Sequence, residues 1–237
     1  MRLWIFALLL CCSCAPLETT ARPDATLPAS GFAPVDGGTI HYQAAGRGPN
    51  LVLLHGGRLD LSMWNVILPQ LSRAHRVIRW DAPGHGASSA PEQPTAETTD
   101  ELLKLLDHLR IERATLVGFS MGAGTATGFA IRHPERVERL VLISTSGPPP
   151  GVPRSPAHDP PLTEPEGRRR LAATGLPVLM IVGTGDSERI RATAEAVRRE
   201  VPSARLVAIE GGSHHVVADR PQEVAAAVLA FARQGKR

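Results

Sequence analysis

The chain alternates short apolar runs with longer stretches of helical pattern. Six predominantly apolar runs fall at 51–54, 77–80, 114–119, 140–143, 178–182 and 206–209. Helical patterns lie near 61–72, 98–109, 121–132, 187–200 and 221–234. Buried strands that alternate with helices are typical of a parallel sheet with both faces covered. The pattern therefore predicts an α/β fold with a mostly parallel, doubly wound central sheet and helices on both faces.

The first residues follow a different pattern from the rest. Arg2 precedes an apolar run from Leu3 to Leu10, and a few small residues close it. This order is typical of an export signal, and the run is shorter than the roughly 20 residues that a membrane-spanning helix needs. We expect a signal peptide over residues 1–15, a flexible tether rich in Pro, Thr and Ala over 16–35, and one domain over 36–237.

All three cysteines of the chain, Cys11, Cys12 and Cys14, lie in the expected signal peptide. The remaining domain can therefore form no internal disulfide. The sequence around Cys14, which follows the small residue Ser13, resembles a bacterial lipoprotein signal. That resemblance implies that Cys14 is lipidated and attaches the protein to a membrane of the bacterial cell envelope. Ordinary cleavage, with release to the periplasm or the medium, is the alternative.

Composition and charge place the chain among globular proteins. Apolar residues make up 43% of it, charged residues 21%, and the net charge is +3, so wholesale disorder is excluded. The densest basic run, Arg168 to Arg170, is flanked by Glu164 and Glu166 rather than by aromatic residues, so no nucleic acid partner is expected. No metal-ligand spacing and no phosphate-binding loop motif occurs in the sequence, so it implies no metal and no cofactor.

One local motif points to chemistry. Gly118-Phe119-Ser120-Met121-Gly122 is a G-x-S-x-G sequence between an apolar run and a helical pattern. A serine on such a turn is exposed above the sheet edge, and the backbone N–H of the next residue, Met121, faces any oxyanion formed there. We expect Ser120 to be a nucleophile, with the N–H groups of Met121 and Gly57 as its oxyanion hole.

A nucleophilic serine needs a base and an orienting carboxylate. Asp186 follows the run at 178–182, and His214 follows the run at 206–209. Because parallel strands place their carboxyl ends at one sheet edge, both side chains are expected close to Ser120. Their order along the chain, Ser then Asp then His, is the order of one hydrolase architecture.

With these residues the sequence resembles the α/β-hydrolase family over residues 36–234. Other segments resemble family motifs as well: His55-Gly56-Gly57, Asp81-Ala82-Pro83-Gly84-His85-Gly86-Ala87-Ser88, Gly183-Thr184-Gly185-Asp186, and the stretch from Gly212 to Val224. The enol-lactonase and small-ester hydrolase branches look most similar. The resemblance implies a serine hydrolase that cleaves a small carboxylic ester or lactone through an acyl-enzyme on Ser120.

The resemblance also assigns roles to the histidines. In the family, the catalytic histidine precedes the proline of the final helix by seven residues, and Pro221 then indicates His214. His215 takes the position of a pocket wall, and His55, Gly56 and Trp64 are further expected pocket residues. Asp81 is expected to have a structural role in its turn. His41, His75, His108, His133 and His158 have no partner pattern and are expected at the surface or at edges.

Family members commonly carry a helical cap domain, and little sequence is left for one in this chain. Residues 148–162 are expected to form a minimal, Pro-rich lid, followed by a short helix with Thr163-Glu164-Pro165-Glu166 as its capping box. The site should therefore be open and shallow. A non-catalytic or very slow ligand-binding protein on the same scaffold is the alternative, since a fold does not by itself establish an activity.

Overall fold

A computed structural model describes residues 29–90, 98–145 and 159–233. The described residues form eight strands: β1 Ala29–Val35, β2 Gly38–Ala45, β3 Asn50–Leu54, β4 Arg76–Trp80, β5 Ala114–Phe119, β6 Val137–Ile143, β7 Val178–Gly183 and β8 Ala204–Ile209. They also form seven α-helices: α1 Leu68–Leu71, α2 Thr98–His108, α3 Met121–Arg132, α4 Pro165–Ala173, α5 Glu188–Glu200, α6 Val216–Asp219 and α7 Pro221–Ala232. Two short 3-10 turns, Leu61–Val66 and Pro134–Arg136, precede α1 and β6 respectively.

The strands form one sheet in the order β1-β2-β4-β3-β5-β6-β7-β8. Strands β3 to β8 pair in parallel, while β1 pairs with β2 and β2 with β4 in antiparallel fashion. The six apolar runs correspond to the parallel strands. The predicted mostly parallel sheet is confirmed, and its carboxyl edge collects the loops that follow β3, β4, β5, β7 and β8.

The two faces of the sheet bury separate apolar clusters. Along β3, Leu51 and Leu53 belong to one cluster, whereas Val52 and Leu54 belong to the other. This alternation follows from the period of two residues in a strand. Helices α2 to α5 pack on the face of Val52, and α1, α6 and α7 pack on the opposite face. The doubly wound arrangement is confirmed.

The first strand of the sheet shows that the predicted boundary between tether and domain is wrong. The tether expected over residues 16–35 ends in strand β1, so the domain begins before residue 36. The strand forms because β1 and β2 make an antiparallel hairpin across Asp36 and Gly37, with Val35 opposite Gly38. Gly37 has a φ of 79° in this turn, which glycine adopts without strain. Residues 16–28 and the expected signal peptide lie outside the described residues.

Two helix predictions differ in detail from the structure. The helical pattern near 61–72 is a 3-10 turn followed by the four-residue helix α1. Helix α4 begins at Pro165 with Glu164 at its N-cap, and no side chain caps it. The capping box is therefore absent, because the Glu166 carboxylate accepts hydrogen bonds from Arg169 and Arg170 instead. In the described ranges, no helix combines the length and the apolar character needed to span a membrane.

Candidate active site

The G-x-S-x-G segment forms a sharp turn between β5 and α3. Ser120 has φ 50° and ψ −109°, a conformation that costs a non-glycine residue about 1–3 kcal/mol. The turn is tight because an added Cβ would lie 2.1 Å from the Leu54 carbonyl oxygen at Gly122, and 2.3 Å from the Gly122 carbonyl oxygen at Gly118. Only glycine fits at these two positions. The strained turn lifts the Ser120 side chain out of the sheet at the N-terminus of α3.

The loops after β7 and β8 bring a carboxylate and an imidazole to this serine. Nδ1 of His214 lies 3.2 Å from each carboxylate oxygen of Asp186, and Nε2 lies 3.3 Å from Oγ of Ser120. The structure thus unites three residues that are separated in the chain and that the sequence predicts as acid, base and nucleophile. Their catalytic roles remain predictions.

The carboxylate of Asp186 determines which atoms donate and which accept in the hydrogen-bonded line from Asp186 through His214 to Ser120. Its side chain is buried, and Oδ1 accepts a hydrogen bond of 2.7 Å from the backbone N–H of Ser187. As an acceptor, the carboxylate receives the Nδ1–H of His214, so neutral His214 keeps the lone pair of Nε2 for the Ser120 hydroxyl. This is the arrangement in which a histidine can take a proton from serine.

The loop that carries His214 is held by its neighbours. The Asp219 carboxylate accepts hydrogen bonds of 2.7 Å and 2.6 Å from the backbone N–H and the hydroxyl of Ser213. The hydrogen bond from the Ser213 side chain is the main reason that the pKa of Asp219 lies below its ordinary value. The ring of His214 also lies 5.3 Å from the ring of Phe119. Sequence reasoning missed the Ser213–Asp219 contact, for which the six-residue spacing offers only a weak signal.

His215 is exposed and lies beside the line rather than in it. Its ring is edge-on to the ring of His214 at 5.6 Å, and its carbonyl accepts the first hydrogen bonds of α6. In the described residues, the Asp186 carboxylate contacts the ring of His214 and not that of His215. The division of the two histidines into base and pocket wall stays a prediction.

The two predicted oxyanion-hole residues are neighbours. The exposed Gly57 lies close enough to Met121 that an added Cβ would be 3.7 Å from the sulfur of Met121. Neither backbone N–H donates a hydrogen bond within the described part of the chain. Both amides are therefore available to a ligand at the N-terminal end of α3, where the helix dipole favours negative charge.

The loop before Gly57 is fixed by a buried imidazole. Nδ1–H of His55 donates to the Gly56 carbonyl at 2.7 Å, and Nε2 accepts the backbone N–H of Ala82 at 2.9 Å. Burial lowers the pKa of His55 below its ordinary value of 6.5, against the opposing hydrogen bond to Gly56. His55 therefore acts as a neutral bridge between the loops after β3 and β4.

Three of the expected pocket residues are not exposed to a pocket. His55 and Trp64 have no solvent-exposed surface, and Gly56 is buried against the ring of Phe119. Trp64 belongs to the apolar cluster beneath the 3-10 turn that carries it. The prediction of a pocket wall is corrected for these three residues, because they are packed in the interior. His215 remains at the surface next to His214.

Asp81 occupies the turn after β4 and has the structural contacts expected for it. Its carboxylate accepts the backbone N–H groups of Leu61 at 2.8 Å and Ala87 at 3.0 Å, and the ring of His41 at 2.7 Å. His41 was expected to lack a partner, and its antiparallel pairing in β2 gives it this one. His75, also expected at the surface, is buried. In the part of the chain that the structure describes, no three His, Cys, Asp or Glu residues form a group that could hold a metal.

Comparisons with known proteins agree with the fold. A family model described as the alpha/beta hydrolase fold matches residues 49–173. The chain is similar to the enol-lactonase of Burkholderia xenovorans LB400, with a TM-score of 0.76, 26% identity, and coverage of 86% of this chain and 100% of the other.

Two curated relatives show higher identity over shorter segments. A 2-hydroxymuconate semialdehyde hydrolase of Pseudomonas sp. strain CF600 is 40% identical over 44% of this chain and 38% of its own length. A pimeloyl-[acyl-carrier protein] methyl ester esterase of Nitrosomonas europaea is 32% identical over 46% of this chain and 42% of its own length. The chain thus spans about two fifths of the length of these curated relatives.

Proposed function

Because the chain belongs to the alpha/beta hydrolase fold family, we propose that it is a serine hydrolase that cleaves a small carboxylic ester or lactone. The observation that carries the proposal is the hydrogen-bonded line from Asp186 through His214 to Ser120 at a strained turn. A ligand-binding role does not require a serine hydroxyl that is hydrogen-bonded to an imidazole oriented by a carboxylate. Nucleophilic catalysis requires that arrangement.

The proposed reaction proceeds in two steps. Oγ of Ser120 attacks the carbonyl carbon while Nε2 of His214 takes its proton, and the resulting oxyanion is stabilised by the N–H groups of Met121 and Gly57. His214 then gives the proton to the leaving oxygen, which leaves an acyl group on Ser120. Water, deprotonated by the same imidazole, hydrolyses this ester and regenerates the hydroxyl. No cofactor takes part in either step.

The substrate class rests on the relatives and on the residues around the serine. The similar proteins include one named enol-lactonase and one named methyl ester esterase. Met121 is an exposed apolar side chain directly after the nucleophile, at 37% exposure, and can contact a short acyl group. The lid expected over residues 148–162 is short, and its residues 148–158 lie outside the described residues. We propose that catalytic efficiency is highest for acyl groups of about two to six carbons, because further methylene groups at about 0.8 kcal/mol each would stay in water.

The decisive experiment combines covalent labelling with a substrate panel. A fluorophosphonate should label Ser120 rapidly, as identified by peptide mapping, and should abolish turnover of p-nitrophenyl esters and simple lactones in proportion to labelling. Ser62→Ala, at an exposed serine outside the line, is the matched control and should change neither result. If Ser120 remains unlabelled while the folded protein binds esters without cleaving them, the protein is a binding protein on this scaffold.

We also propose that the protein is exported to the bacterial cell envelope and anchored through lipidated Cys14, a residue outside the described ranges. In a bacterium with a lipoprotein pathway, the full chain should be found in the membrane fraction, and Cys14→Ser should release it. Mass spectrometry of the mature N-terminus checks this directly. An unmodified N-terminus beyond residue 14 would replace anchoring by simple secretion.

A further inference from the structure

A second line of serine, histidine and aspartate lies on the antiparallel edge of the sheet. Oγ of Ser30 in β1 lies 2.8 Å from Nε2 of His41 in β2, and Nδ1 of His41 lies 2.7 Å from Oδ2 of Asp81 after β4. Both distances are shorter than the corresponding distances from His214 to Ser120 and to Asp186. Four strand spacings separate β1 from β5, which places the two serines' strands about 19 Å apart. The two lines are therefore separate sites.

The contacts of Asp81 fix the protonation pattern of this second line. Its carboxylate accepts the backbone N–H groups of Leu61 and Ala87, so both of its oxygens act as acceptors. The hydrogen bond with His41 must then be donated by Nδ1–H. In the neutral ring, Nε2 keeps its lone pair, and the hydroxyl of Ser30 donates to it. The imidazole is thus oriented to take the proton of Ser30.

Solvent exposure increases along this second line from Asp81 through His41 to Ser30. Asp81 is 2% exposed, the side chain of His41 is 13% exposed, and Ser30 lies at the surface. The carboxylate is shielded from water, whereas the hydroxyl is open to a ligand. Phe32 is on the same face of β1 as Ser30 and lies directly opposite His41 in the strand register. Its ring is 53% exposed and lies 5.1 Å from the ring of His41, so it offers an apolar surface beside the hydroxyl.

We propose that Ser30 is a second nucleophile, which accepts acyl groups from activated esters such as aryl or enol esters. Oγ of Ser30 forms a bond to the acyl carbon as Nε2 of His41 takes the hydroxyl proton. The bond between the acyl carbon and the leaving oxygen then breaks, and His41 returns the proton to that oxygen. The products are acyl-Ser30 and a phenol or enol. Because Ser30 lies within a strand and not at the start of a helix, the acyl group is expected to accumulate rather than turn over.

The experiment uses the full chain carrying Ser120→Ala, so that the proposed hydrolase site cannot contribute. This protein is treated with p-nitrophenyl acetate, and acetylated residues are identified and timed by peptide mapping. Ser62 is an internal control, because its side chain is exposed and lacks a described histidine partner. General-base assistance predicts that Ser30 is acetylated at least about 10²-fold faster than Ser62.

Further variants separate activation from simple exposure. Adding His41→Gln should lower the acetylation rate of Ser30 to that of Ser62. The glutamine amide can still donate a hydrogen bond to Asp81, so the fold should be retained. Adding Phe32→Ala should slow Ser30 acetylation and leave Ser62 unchanged. Equal rates at Ser30 and Ser62, or acetylation of Ser30 that survives His41→Gln, would overturn the proposal. Since Ser120 is absent throughout, neither outcome bears on the proposed hydrolase, and Ser30→Ala alone should leave hydrolysis by Ser120 unchanged.

Discussion

Two sets of serine, histidine and aspartate lie along one edge of the same sheet, and they share a hydrogen-bonding pattern but differ in their surroundings. The set of Ser30, His41 and Asp81 has contacts of 2.8 Å and 2.7 Å, whereas Ser120 and Asp186 contact His214 at 3.3 Å and 3.2 Å. Yet only Ser120 lies on a strained turn at the start of a twelve-residue helix. The shorter hydrogen bonds therefore occur in the set that has fewer preorganised donors to stabilise the negative charge of a transition state.

The difference indicates which part of the fold would favour catalysis at a serine. In either set an imidazole contacts the serine hydroxyl, but the negative charge that would develop on a substrate needs preorganised donors. Those donors exist beside Ser120 because β5 leads directly into α3 and because Gly57 approaches Met121. The hairpin of β1 and β2 has no helix at its serine. We expect turnover at Ser120 and single acylation at Ser30.

Removing each proposed nucleophile tests this division most strongly. Ser120→Ala should lower kcat/KM for the best ester of the panel by about 10⁴ to 10⁶, because loss of one member disables the whole catalytic unit. The fold should survive, as circular dichroism and thermal unfolding can check. Ser30→Ala is the matched variant and should retain full turnover. If purified Ser120→Ala protein keeps more than about a tenth of the activity, hydrolysis does not depend on Ser120.

The adjacent histidines provide the second test. His214→Ala should approach the loss caused by Ser120→Ala, since its ring alone joins the hydroxyl to Asp186. His215→Ala removes an exposed ring beside that line and should raise KM while leaving kcat close to its original value. Steady-state kinetics with one ester measure both. A loss of kcat confined to His215→Ala would show that the working loop differs from the described one.

The two aspartates should separate activity from stability. Asp186→Asn should lower kcat by about 10⁴ through loss of the correct histidine tautomer, with little change in the free energy of unfolding. Asp81→Asn places an amide among two backbone N–H donors and should lower that free energy by about 2–3 kcal/mol. Urea unfolding and kcat are measured for both variants. Equal destabilisation by the two changes would contradict the structural role of Asp81.

The sequence predicts the region of Ser120 far better than the region of Ser30. Apolar runs mark the six parallel strands because those strands are buried on both faces, and motif order indicates Ser120, Asp186 and His214. The hairpin escapes prediction because little of it is buried: β1 buries Ala33, and β2 buries Ile40. The Asp36-Gly37 turn is the one local signal that favours a hairpin there.

Contacts between segments that are distant in the chain also limit what the sequence can predict. His41 meets Asp81 only because β2 pairs with β4 in antiparallel register, with Tyr42 opposite Trp80. No local pattern contains that register. His55 and Trp64 illustrate the same limit, because the sequence predicts both as pocket residues while their side chains are buried in the interior. A motif predicts which residues assemble, and only packing decides which of them face a substrate.

The smallest expected effect concerns the bridge between the two sets. His55 accepts the N–H of Ala82, the residue after Asp81, and donates to the carbonyl of Gly56 beside the predicted oxyanion hole. Burial lowers its pKa below the ordinary value of 6.5, and the nearby His85 acts in the same direction, while the hydrogen bond to Gly56 and the charges of Asp81 and Asp60 oppose it. Protonation of Nε2 would remove the acceptor for Ala82.

The sign of the pH effect follows from this pKa shift. The unfolded chain binds the proton of His55 at a higher pH than the folded chain, so the free energy of unfolding should fall as the pH drops below about 6.5. Burial also lowers the pKa of His75, which adds to the same trend.

Urea unfolding at several values between pH 5 and 8 measures how the free energy of unfolding changes with pH, and His75→Gln should reduce this slope without abolishing it. His215→Gln, a substitution at an exposed ring, is measured alongside as the control. Stability independent of pH in the His75→Gln protein would mean that His55 does not bridge the two loops in solution.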